Sequence, residues 1–87
     1  MIVKFEKAQV IEDDNGVEYV VMSVIQDGNI EYAFANKFNK NDEPTEEYRV
    51  FTLEDDELEI VEDSDLINKL LPIFQKNIVE DLKEILN

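Results

Sequence analysis

The chain has 87 residues, 22 acidic and 8 basic, for a net charge of −14, with no histidine and no cysteine. That length makes one domain around one core, and the missing cysteines exclude disulfides and thiolate metal sites. The charge disfavours direct contact with nucleic acid or an anionic membrane face, because phosphates are met by Lys and Arg.

A hydrophobic fraction of 44% belongs to a globular protein rather than to a disordered acidic tail. Lys4, Glu6 and Lys7 interrupt the stretch where a signal peptide needs an apolar run. No apolar run approaches the roughly 20 residues of a membrane span. The cytoplasm is the expected compartment.

The first strand is expected over about Lys7 to Glu12, closed by the turn Asp13-Asp14-Asn15-Gly16. Val17 to Ile25 is β-branched and aromatic at both odd and even positions, which predicts a central strand covered on both sides over part of its length. Asp27-Gly28-Asn29 is a hairpin signal. Ile30 to Phe38 alternates, with Ile30, Tyr32, Phe34 and Phe38 on one face and Glu31, Ala33, Ala35 and Lys37 on the other. A polar loop follows, stopped by Pro44. Glu47 to Leu53 and Glu57 to Val61 read as the fourth and fifth strands, joined at Glu54-Asp55-Asp56.

From Asp63 the apolar period becomes helical, with Ser64 as the expected N-cap and Asp65 next to the positive end of the helix dipole. At about 100° per residue, the apolar stripe before Pro72 and the stripe after it point in different directions. The spacing therefore predicts a kink or break at Pro72, with a short helix followed by a longer one. The connections between strands are too short for crossovers, so the sheet is antiparallel. The expected fold is α+β over a single domain, residues 1–87. An antiparallel sheet of about five short strands (about 7–62) is followed by helices (about 64–86) packed on one of its faces.

The segments Asp14-Asn15-Gly16-Val17-Glu18-Tyr19, Asp27-Gly28, Glu31-Tyr32-Ala33, Glu47-Tyr48-Arg49-Val50-Phe51 and Leu58-Glu59-Ile60-Val61-Glu62-Asp63 resemble the YrzB-like family. These are small, acidic, uncharacterised bacterial proteins, mainly of Gram-positive lineages. The resemblance covers roughly residues 10 to 75, and the Pro72 break and a longer helical tail depart from it. It implies a bacterial or phage cytoplasmic protein and brings no activity and no catalytic residues.

The absent histidine and cysteine remove the commonest general base and the strongest nucleophile. Neighbouring acids such as Glu46/Glu47 or Asp55/Asp56 do not flank a cleft as a glycosidase pair must. No enzyme activity and no cofactor are expected. Asp13-Asp14-Asn15-Gly16 fails as a calcium loop, since Ile11 and Met22 stand where acidic ligands are needed. No metal site is expected.

The acids are unevenly spread. Residues 1–38 carry a net −4, residues 39–65 a net −10, and residues 66–87 are neutral. The central segment holds Asp42, Glu43, Glu46 and Glu47, then Glu54, Asp55, Asp56, Glu57 and Glu59, then Glu62, Asp63 and Asp65. Like charges repel, so concentrating them is unfavourable unless they serve a purpose. These twelve residues are the candidate partner-binding surface. The partner they suit is a basic protein surface, such as that of a nucleic-acid-binding protein, which a carboxylate row occupies by mimicry. Several phage inhibitors of host defence, including some anti-CRISPR proteins, are similar in size and charge. The other reading is a small housekeeping or assembly protein whose acidity serves solubility. It forms a homodimer through apolar residues of the second helix such as Val79 and Leu86.

Overall fold

The computed structural model describes residues 4–86 and their side chains as far as residue 84. Met1 to Val3 of the N-terminal stretch, Asn87 and the side chains of Ile85 and Leu86 lie outside it. Five strands form one meander in chain order: β1 (Val10–Glu12), β2 (Glu18–Asp27), β3 (Ile30–Phe38), β4 (Pro44–Glu54) and β5 (Glu57–Ile60). Every neighbouring pair is antiparallel. One helix, α1 (Ser64–Leu86), follows.

The sheet is curled, so β3 is buried on both faces. On the concave side, Ala33 and Ala35 lie under Phe5, Ile11, Tyr19, Val21, Phe51 and Leu53. The Tyr19 ring meets Phe51 edge-on at 5.1 Å. On the convex side, Tyr32 and Val50 pack with Val61, Leu70 and Phe74, and Phe34 stacks on Phe74 at 5.5 Å. The convex side is the face that α1 covers.

β2 is covered on both sides over part of its length, as its both-parity apolar pattern leads one to expect, and a bulge contributes to that pattern. Val21 is paired with Ala35 but Ser23 with Phe34, so Met22 is an extra residue in the strand. A bulge reverses the facing of every later side chain. Tyr19 and Val21 point into the concave core before it, and Val24 does so after it, while Ile25 turns to the helix side.

A second irregularity separates Asn36, paired with Tyr48, from Phe38, paired with Pro44. The buried Asn36 side-chain amide fills the gap, donating to the carbonyls of Thr45 at 2.8 Å and Glu47 at 3.0 Å. The Thr45 hydroxyl donates back to the Lys37 carbonyl at 2.7 Å.

Two of the four turns are built alike. Asp13 Oδ1 accepts from the amides of Asn15 and Val17, both at 2.9 Å. Asn39 Oδ1 accepts from Asn41 at 2.8 Å and Glu43 at 3.1 Å. In each turn the fourth residue is left-handed, Gly16 at φ 78° and Asp42 at φ 60°. The β2–β3 turn has Gly28 at φ 63° in its first central position, as a type II′ turn requires. The β4–β5 turn places Asp55 and Asp56 at φ 50° and 66°. That is the type I′ pattern, for which Asn-Gly is the favoured pair.

The helix departs from expectation at two points. Its N-cap is Asp63 rather than Ser64, with Asp63 Oδ1 accepting from Asp65 at 3.0 Å and Leu66 at 3.4 Å. It also continues through Pro72 as one helix instead of dividing in two. One buried stripe runs from Leu70 and Phe74 to the half-buried Asn77, Ile78 and Asp81, and Val79 and Leu82 are left exposed. Of the second apolar set, Ile78 is half-buried while Val79 and Leu82 stay in solvent.

Two stability predictions follow from these backbone positions. Replacing Asp55-Asp56 by Asn-Gly relieves two left-handed aspartates, and a gain of about 1 kcal/mol, or roughly 4–8 °C in Tm, is expected by calorimetry. Pro72→Ala restores a helical hydrogen bond at an exposed position, and urea denaturation is expected to gain about 1–3 kcal/mol.

Candidate functional site

The twelve candidate acids do not form one patch. Asp42, Glu43 and Glu46 lie at the β3–β4 end of the sheet, and Glu54, Asp55, Asp56, Glu57 and Glu59 at the β4–β5 tip. The ten-residue rise along β4 between these ends is about 33 Å.

The tip is the denser group. Glu54 is directly opposite Glu57, and Thr52 opposite Glu59. Alternation puts Glu57 and Glu59 on the solvent face of β5, and Leu58 and Ile60 against the concave core. With Glu54 and Asp55, these glutamates line a shallow surface around Thr52 that includes no Lys or Arg among the described residues. Among the described residues none of the five tip acids joins an ion pair.

Glu47 serves a different purpose. Its carboxylate is paired with the Lys37 ammonium at 2.9 Å, across β3 and β4. Arg49 lines the same surface, beside Tyr19 and Tyr48. The hydrogen bond and charge of Lys37 hold the Glu47 carboxyl below the usual carboxylate range, and the same contact raises Lys37. This pair and Arg49 interrupt the acids with a nearly balanced cluster. Asp63 is likewise structural, as the helix cap. Asp65 follows it in the first helical turn.

Glu59 and Glu62 belong also to a surface that chain order conceals. The curl brings β1 close to β5, and between them opens a cleft of about 420 Å³. Glu12, Asp13 and Asp14 form one rim and Glu59 and Glu62 the other, over a floor of Phe51, Leu58 and Ile60. No backbone hydrogen bond joins the two strands. Asp13 is committed to its turn. Glu12 and Asp14 are the acids that linear charge counting leaves out, because they lie outside the dense 39–65 segment.

A second concavity, about 510 Å³, lies beside α1, between Ile67, Leu71 and Gln75 and the β4 residues Tyr48 and Val50. The Phe34 and Tyr48 rings stack there at 5.0 Å, and Tyr48 is half exposed. Among the described residues no three acidic side chains converge as metal ligands, and no helix is long and apolar enough to cross a membrane. Comparison of the chain with protein-family models, with curated proteins and with solved structures finds no match.

The Glu47–Lys37 pair makes a pH prediction. A lowered folded-state pKa stabilises the fold above the ordinary glutamate range, and that contribution is lost as pH falls through the folded value. The NMR titration midpoint of the Glu47 carboxyl carbon is expected below that of a free glutamate. In Lys37→Met it is expected to move up toward the ordinary value.

Proposed function

We propose that the protein is a non-catalytic acidic interaction module that binds a basic protein surface through the β4–β5 hairpin. One observation carries the reading. The hairpin tip holds Glu54, Asp55, Asp56, Glu57 and Glu59 together, and among the described residues no ion pair offsets them.

Directly opposed like charges on a sheet are destabilising, so the Glu54–Glu57 pair stores repulsion in the free protein. Lys and Arg from a partner relieve it, and that relief favours the complex. Glu54 ends β4, Asp55 and Asp56 form the turn, and Glu57 and Glu59 stand about 7 Å apart along β5, so five carboxylates crowd one end of the hairpin. A nucleic acid likewise presents closely spaced negative charges to the proteins that bind it. A nucleic-acid-binding protein is therefore the proposed class of partner. The cytoplasm, where such partners work, is the proposed compartment.

A second reading rests on Val79 and Leu82, which are 48% and 51% exposed and one helical turn apart. These residues suit self-association of two copies through α1, with the acidity serving solubility.

Salt separates the two readings. The screening length shrinks from about 8 Å at 0.15 M to about 3 Å at 1 M. In pull-downs from bacterial lysate, nucleic-acid-binding partners are expected at low salt and are expected to be lost at 1 M. The variant Glu54→Lys/Glu57→Lys, with an unchanged circular dichroism spectrum, is expected to lose them at low salt as well. Full retention by this variant overturns the hairpin reading. A salt-resistant dimer in sedimentation, with no other partner, supports the second.

A further inference from the structure

The meander has an odd number of strands, so its two edges run in the same direction. β1 and β5 both point toward the end of the sheet that carries the Asp13 and Asn39 turns. Among the described residues, the backbone of each edge is open toward the cleft. The Asp13 amide donates to the carbonyl of Val17, just before β2, so by ladder alternation the amides of Val10 and Glu12 point away from β2. The Val61 amide bonds to Val50 in β4, so those of Leu58 and Ile60 point away from β4. Across the cleft the acids of β1 and its turn face those of β5, and their repulsion keeps the edges from closing on each other.

We propose that this cleft takes an extended, basic segment of another protein as a sixth strand, antiparallel to both edges. The proposal rests on the acidic-module reading and names its partner's chemistry. One strand running opposite to β1 and β5 satisfies both ladders at once and completes an even meander. Its outward side chains stand between Glu12 and Glu59, which calls for Lys or Arg. Its inward side chains meet Ile11, Leu58 and Ile60, which calls for aliphatic residues. The recognised pattern is therefore an alternation of basic and aliphatic residues over about five or six positions. A second copy of this chain is a poor occupant, because its own edge strands bring more carboxylates to the same rims.

The test uses the full chain and two fluorescein-labelled hexapeptides of one composition. One alternates lysine and valine, and the other has three lysines followed by three valines. In anisotropy titrations at low salt the alternating peptide is expected to bind about tenfold tighter. It is expected to shift the amide resonances of β1 and β5. Glu12→Lys/Glu59→Lys is expected to remove that preference, and the milder Glu12→Gln/Glu59→Gln to reduce it if charge reversal unfolds the chain. Equal affinity for both peptides, or shifts confined to the Asp55-Asp56 tip, overturns strand insertion and leaves the acidic-module reading standing. Failure of both peptides to bind at low salt overturns both.

Discussion

The fold depends on burying β3 on both faces. A sheet with one wet face does not need this, but here the middle strand carries Tyr32 and Phe34 on one side and Ala33 and Ala35 on the other, and the alanines are wholly buried. Their small side chains let Tyr19, Val21, Phe51 and Leu53 close over the strand, which is what curls the sheet. The helix then has only the convex face to cover, and Phe74 anchors it against Phe34. The Met22 bulge serves the same end, redirecting β2 so that Val24 joins the concave core and Ile25 the helix side.

Curling also determines where the charge goes. A flat meander would hold β1 and β5 at opposite borders, with their acids far apart. In the curled sheet those borders face each other across a cleft, and acids distant in sequence become neighbours. The Lys37–Glu47 pair and Arg49 occupy the sheet between the acidic ends. The surface is therefore partitioned, with a dense tip, an acidic cleft and a nearly neutral middle.

The strand order, antiparallel pairing and most turns were legible in the residues, because local chemistry sets them. Gly16 and Gly28 mark positions with positive φ, and period-two apolar runs mark half-buried strands. Features set by distant contacts were not legible. Apolar residues of both parities in β2 mark its two-sided cover, but the bulge that accompanies it is set by pairing with β3. Asn36 carries no local sign that its amide bridges Thr45 and Glu47. At Pro72 the local rule predicts a kink or break, yet the helix runs through it unbroken, with Leu70 and Phe74 packed on one sheet face. Asp63 and Ser64 are both good caps, and the helix register chose the aspartate. The twelve acids were visible in the sequence, but their division between two ends, and the addition of Glu12 and Asp14, depend on the curl.

The glutamates along β5 have a further consequence for how the protein behaves in bulk. An uncovered strand edge is a template on which other chains can add, and charged side chains guard it. Here the guard is made almost entirely of carboxylates, with Glu57 and Glu59 on β5 and Glu12 on β1. It therefore acts through charge of one sign and is weakened wherever salt screens that charge. Added salt thins the guard on both edges at once while their ladders stay unpaired. Colloidal stability and strand-edge chemistry are governed in this molecule by the same few groups.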